Sequence, residues 1–195
     1  MKKYEFTGET KQVELLFRTA TLHRIKAVAE FGVVKIGDIG GWIEKEENLS
    51  HEGNAWVCGN AEVYGDAEVW GNAEVWGNAE VCGNAEVWGN AKVYGDAEVW
   101  GNAKVCGNAK VCGNAEVFSI SHVLVIGPIG SRNDFTTFFR DKDSEITVKC
   151  GCFLGKIDKF LEKVCETHGD SQYAIVYRTA VEIAKQQIDL SEEKQ

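Results

Sequence analysis

The stretch AEVWGNAEVWGNAEVCGNAEVWGN, Ala67–Asn90, repeats one hexapeptide with little variation. Glycine returns every six residues from Gly53 to Gly113, giving eleven units. Each glycine is followed by Asn, or by Asp at Asp66 and Asp96, and then by Ala; Val comes two residues after that, from Val57 to Val117. Residues two apart in extended backbone point to one side, so Ala and Val share a small dry face. The Glu or Lys between them and the Trp, Tyr or Cys after Val point the other way. Gly-Asn reads as the corner, since both residues tolerate positive φ. The favoured hairpin dipeptide is Asn-Gly rather than Gly-Asn, and a flat meander would leave one face unburied. A coil turning in one sense buries every Ala and Val on its axis. Three sides leave a prism that these residues fill, whereas four would leave a void. The expected unit is therefore three hexapeptides per turn, with successive turns pairing as parallel strands.

The repeat extends into its flanks. Ile43 and Leu49 are six apart, and Val117, Val123 and Ile129 keep the phase of the inner series. The step from Leu49 to Val57 is eight, which implies a two-residue bulge near His51-Glu52. The expected organisation is an N-terminal strand cap over 1–36, a coil of roughly five turns over 37–130, and a C-terminal α+β cap over 131–195. In that second cap DFTTFFRDK and EITVKCGCF read as strands, and GKIDKFLEKVCETHG and SQYAIVYRTAVEIAKQQI have helical spacing. Within THGD, Asp170 reads as the N-cap of the second helix.

Composition narrows the possible partners. Lys plus Arg number 21 against 30 for Asp plus Glu, a net charge of −9 that argues against a phosphate-backbone binder. MKKYEFTGETKQVELLF lacks the apolar core of a signal peptide, and no stretch reaches the roughly 18 apolar residues of a membrane span. The expectation is a cytoplasmic protein whose seven cysteines are reduced thiols.

The units V-x-G-N-A-x resemble the hexapeptide repeat of left-handed β-helix proteins, and that resemblance alone implies the hand. TLHRIKAVAEFGVVKIGDIGGWIEKEENLSHEGNAWV resembles the opening of bacterial and prophage hexapeptide proteins, many of them labelled putative transferases; the C-terminal part is similar to tails found there. The fold class expected is thus mainly β: a left-handed parallel β-helix with a strand cap and an α+β cap. The resemblance implies a homo-oligomer, with a trimer as first choice. It also implies, as one activity, acyl transfer from acyl-CoA with a histidine as general base. None of His23, His51, His122 and His168 belongs to a motif that can be matched residue by residue, so no catalytic residue is assigned. His51 falls in the bulge, and His122 is expected to point outward if Val123 points in.

With three units per turn, outward side chains align in columns. One face carries Cys58, Trp76, Tyr94 and Cys112; a second Tyr64, Cys82, Trp100 and Phe118; the third Trp70, Trp88 and Cys106. Ahead of Val, Glu74 can pair with Lys92 and Glu86 with Lys104, but Glu62, Glu80, Glu98 and Glu116 form an acidic column. Such a column either splays into water or receives a cationic partner. Tyr64, Trp70, Trp76, Trp88, Trp100, Glu80 and Glu98 are therefore candidate binding residues, since exposed aromatic area marks interfaces. In the loop GPIGSRNDF, Arg132, Asn133 and Asp134 are candidates for a phosphate or carboxylate, or simply turn the chain. Cys150, Cys152, Cys165 and His168 supply four soft donors for zinc, although C-x-C is tighter than the usual spacing; the simpler reading packs alternate cysteines on one strand face. No cofactor is implied. The reading favoured by the sequence is a non-enzymatic scaffold or binding protein, and the resemblance implies a phage type that contacts a host protein or sequesters a small ligand. An acyl-CoA-dependent acyltransferase is the alternative.

Overall fold

The computed structural model describes residues 2–191. The outermost limits of the two expected caps, residue 1 and residues 192–195, lie outside the described residues. The chain opens with an antiparallel hairpin of β1 (Tyr4–Glu14) and β2 (Thr19–Ala27), followed by β3 (Ile39–Ile43). Short strands then recur at the six-residue period: β4 (Trp56–Val57), β5 (Glu62–Val63), β6 (Glu68–Val69), β7 (Glu74–Gly77), β8 (Glu80–Val81), β9 (Glu86–Val87), β10 (Lys92–Gly95), β11 (Glu98–Val99), β12 (Lys104–Val105), β13 (Lys110–Gly113) and β14 (Glu116–Val117). They stack in three parallel sheets, β4-β7-β10-β13, β6-β9-β12 and β3-β5-β8-β11-β14. The result is a parallel β-solenoid of about four turns.

Register follows the repeat. Val75 faces Val93, and Val93 faces Val111, with Glu74, Lys92 and Lys110 alongside. Every repeat Val and nearly every repeat Ala is fully buried, so the axis is a continuous column of methyl groups. Ile43 lies against Val63 and Leu49 against Val69, whereas Val57 lies against Val75, so two extra residues bulge between Leu49 and Val57 as expected.

The corners explain both glycine and asparagine. At Gly77 φ is 78°, and an added Cβ would sit 3.0 Å from the backbone nitrogen of Gly95 in the next turn. Adjacent turns approach too closely for a side chain there. Asn side chains form ladders up the corners: the Asn54 amide donates to Asn72 at 3.0 Å, Asn72 to Asn90 at 3.1 Å, and Asn90 to Asn108 at 3.2 Å. Positive φ was legible from the repeat; the ladder was an unread consequence of its period.

Both ends are closed. Tyr4, Ile25 and Ala27 cover the first turn, and the buried Tyr4 hydroxyl donates to the Leu49 carbonyl at 2.7 Å. The same cap buries Trp56 edge-on to Phe31. At the other end β15 (Val123–Ile129), β16 (Asp134–Arg140), β17 (Ile146–Cys150) and β18 (Phe153–Lys156) form an antiparallel meander under α1 (Ile157–His168) and α2 (Gln172–Gln187). Alternation in β16 divides the meander's duties: Phe139 closes the coil, while Phe138 packs beneath the helices.

Several expectations are corrected here. Val123 and Ile129 do not continue the coil; they pair antiparallel with Phe139 and Asp134. The glycine corner fails at position 119, where Ser119 has φ −136°, and a short 3-10 turn, Ile120–His122, ends the winding. His122 is consequently buried, edge-on to Phe118 at 4.3 Å, instead of pointing outward. EITVKCGCF is not one strand, because Gly151 at φ 56° reverses the chain between β17 and β18. Cys150 and Cys152 therefore do not share a strand face. Ser171 rather than Asp170 occupies the N-cap position of α2, and its side chain makes no capping hydrogen bond. Among the described residues no helix is long and apolar enough to cross a membrane.

Candidate functional site

The outer faces of the coil are more fully occupied than their phase implied. Tyr64 is buried beneath β2, against Ala20 and Leu22, and its hydroxyl donates to the Glu80 carboxylate. It presents no binding surface. The glutamate column is neutralised from both ends. Lys11 of β1 pairs with Glu62 at 2.6 Å, and Arg140 of β16 pairs with Glu116 at 2.6 Å. Glu98 stands in register between Glu80 and Glu116. Carboxylates stacked at strand spacing repel, and the two caps supply cations at the ends of the column.

The aromatic columns stack on themselves. Trp70 and Trp88 lie 5.0 Å apart and 3° from parallel, Trp76 and Tyr94 4.4 Å and 1°, Trp100 and Phe118 4.5 Å and 22°. Each ring covers its neighbour's face, so all these side chains are half-buried or better. The expected wide aromatic surface is reduced to ring edges. Lys92 bonds Glu74 at 2.8 Å, and Lys104 pairs with Glu86 at 2.9 Å, as the columns implied.

The C-terminal cap contains a cavity of about 410 Å³ that unites two segments read separately in the sequence. Ser131 and Arg132 reach it from the β15–β16 loop, Cys150 and Cys152 from the β17–β18 hairpin, and His168 and Tyr177 from the helices. Phe153, Phe160 and Val164 supply its apolar wall. Two glycines make the arrangement possible. At Gly130, φ 71°, an added Cβ would lie 1.8 Å from the Tyr177 hydroxyl oxygen, and at Gly151 it would lie 2.9 Å from Arg132 Nη1. The Thr136 hydroxyl donates to Cys150 Sγ at 3.3 Å, which in turn lies 3.9 Å from the Tyr177 hydroxyl. Burial pushes the Tyr177 phenol up to about 12, Cys150 adding to the shift and Arg132 opposing it. Tyr177 therefore stays protonated as a donor at neutral pH. The His168 ring lies 5.8 Å from that of Tyr177.

The remaining candidates divide. Asn133 takes φ 51° and donates its backbone N–H to the Gly130 carbonyl at 3.2 Å, and the Asp134 carboxylate accepts from the Phe135 N–H at 2.7 Å. Both residues shape the loop that presents Arg132. Cys165 is exposed, and among the described residues no group of three His, Cys, Asp or Glu side chains converges to hold a metal ion.

A second, shallower cleft of about 390 Å³ adjoins the first at Gly151. It is bounded by Trp76, Tyr94, Lys92, Lys110 and Lys149. Among the described residues neither Lys110 nor Lys149 makes an ion pair, in contrast to Lys92. An acidic molecule thus gathers cations at one junction between coil and cap. Sequence reading singled out Arg132, Cys150, Cys152 and His168 of the first cavity but missed Tyr177, Lys110 and Lys149 as site residues.

Fold and repeat together define a hexapeptide-repeat β-solenoid with a cavity-bearing cap. Over 61 residues, 29% of this chain, it is 34% identical to a protein of Escherichia coli (strain K12) named "Uncharacterized acetyltransferase YdcK". The chain spans 19% of that relative's length. No family model matches the chain.

Proposed function

We propose that this protein transfers an acyl group from a coenzyme A thioester to a small acceptor held in the C-terminal cavity, with His168 as general base. One observation carries the proposal: His168 lines the cavity of the C-terminal cap. His23 stacks on Phe6, His51 on Tyr4, and His122 is buried against Phe118. The acetyltransferase name of the relative supports the same class. Lys110 and Lys149 in the adjoining cleft suit the donor's phosphates, because cations with no paired carboxylate bind anions at least cost.

The step balances as follows. The acceptor's nitrogen or oxygen lone pair attacks the thioester carbonyl while His168 takes its proton. The C–S bond breaks, the thiolate leaves, and the proton on His168 passes to it, regenerating neutral imidazole. The Tyr177 hydroxyl is the nearby neutral donor for the carbonyl oxygen as negative charge develops. A cytoplasmic location, where coenzyme A thioesters are supplied, and the left hand implied by the repeat's resemblance belong to the same proposal. His168→Asn is expected to lower acetyl-CoA turnover by about 10²-fold or more while leaving the melting temperature unchanged. Unchanged turnover in that variant removes His168 from the chemistry.

A second reading, a non-enzymatic binding protein directed at a host factor, is favoured by the apolar tip of the first hairpin, where Leu16 is 87% and Phe17 93% exposed. Leu16→Ser with Phe17→Ser abolishes partner capture on that reading and leaves acetyl-CoA turnover intact on the first.

A further inference from the structure

We infer that the C-terminal cavity takes a carboxylate-bearing ligand with an aromatic or branched apolar body, and that Arg132 is the residue that selects the acid. The loop presenting Arg132 is fixed by the Asn133-to-Gly130 backbone bond at 3.2 Å, so the side chain leaves from a defined turn. Its Nη1 lies 2.9 Å from where a Cβ on Gly151 would stand, and Gly151 lines both clefts. Among the described residues Arg132 makes no ion pair, whereas Lys163 on the same rim is held by Glu166 at 3.0 Å. The guanidinium therefore faces the cavity with its fork of donors uncommitted to an internal carboxylate, the geometry in which arginine binds a planar acid through two parallel hydrogen bonds. Behind it, Phe153 and Phe160 have ring centroids 5.3 Å apart, and Phe160 meets Tyr177 edge-on at 5.5 Å. That wall stacks an aromatic ring or packs a branched chain. The volume falls within the roughly 300–1,000 Å³ of small-molecule sites.

Charge makes the inference selective. A chain of net charge −9 repels anions over most of its surface, so an acid is retained only where a local cation outweighs that field. A neutral isostere gains the same apolar contacts but loses the guanidinium. In naming this ligand as the acyl acceptor, the inference rests on the acyl-transfer reading; in naming it as an acid that binds here, it does not.

The test uses the full chain and two probes of matched shape, 3-phenylpropanoate and 3-phenylpropanamide, titrated by calorimetry. The acid is expected to bind saturably and at least tenfold more tightly than the amide. Arg132→Gln removes that preference, and Arg132→Lys, which keeps the charge but not the fork, restores part of it. Equal affinities for acid and amide in the wild type overturn the inference without recourse to any variant, as does an acid preference that survives Arg132→Gln. Acetyl-CoA is titrated separately. Acid binding without acetyl-CoA binding leaves the carboxylate site standing and removes acyl transfer; acetyl-CoA binding with no preference for the acid does the reverse.

Discussion

Individual residues in the coil answer to very local rules. Gly77 occupies positive φ where the next turn leaves no room, so Gly77→Ala combines a left-handed backbone penalty with a close backbone contact. A loss of about 1–2 kcal/mol is expected from the urea midpoint. Val87 is fully buried between Val69 and Val105. Val87→Asp places a carboxylate on a dry axis with no polar partner in reach of the methyl column. It should cost on the order of 4 kcal/mol or more and abolish the cooperative melt; a variant melting within a few degrees of wild type contradicts a packed axis. The exposed ion pairs, Lys92–Glu74 and Lys104–Glu86, are worth at most about 1 kcal/mol each, so the coil's stability rests on its apolar axis.

Elements differ in how much of their contact is local, and legibility in the sequence followed that difference. Repeat strands meet copies of themselves one turn away, so their register, inward face and stacked columns could all be read from period alone. Val123 and Ile129 kept the phase and misled, although the missing glycine at Ser119 was a visible sign that the corner had failed. Tyr64 and Glu80 pointed outward as read, but the hairpin that covers Tyr64 comes from residues some forty positions earlier. No local period reports such a contact. The β16–β17 turn gives a pH-dependent prediction at this scale. Asp141 is fully buried there and accepts from the Asp143 N–H at 3.0 Å, the Thr147 hydroxyl, and Lys156. Burial opposes its ionisation, but these hydrogen bonds outweigh burial and hold the carboxyl below its usual range. A carboxyl depressed in the folded state contributes stability above its unfolded value, near 3.9, and loses it as pH falls through the folded value. Wild-type melting temperature should therefore fall below about pH 4 more steeply than that of Asp141→Asn. At pH 7 the variant should lose on the order of 2–3 kcal/mol, less than a fully buried pair because Lys156 is partly exposed. Parallel pH profiles would remove Asp141 from this role.

At the scale of the whole molecule the coil joins two caps, and on the proposed reading the C-terminal cap carries the chemistry. Arg132, Cys150 and His168 were each singled out in the sequence, but as two unrelated clusters, one with a phosphate or carboxylate in view and the other with a zinc ion. The meander and the α1–α2 pair bring them around one cavity, and that placement depends on long-range packing through Phe138 and Phe160. The aromatic ladders now read as cross-strand support. Trp88→Ser should lower stability by about 1 kcal/mol and leave ligand binding unchanged. A trimer remains the assembly implied by the repeat's resemblance, and solution mass under native conditions distinguishes it from a monomer of 21.5 kDa. The most direct test of acyl transfer in the cap is a calorimetric titration of the full chain with acetyl-CoA, alongside Lys110→Glu/Lys149→Glu. Saturable micromolar binding that the double variant loses is the predicted result. No saturable heat, or binding that the charge reversals leave unchanged, would contradict it.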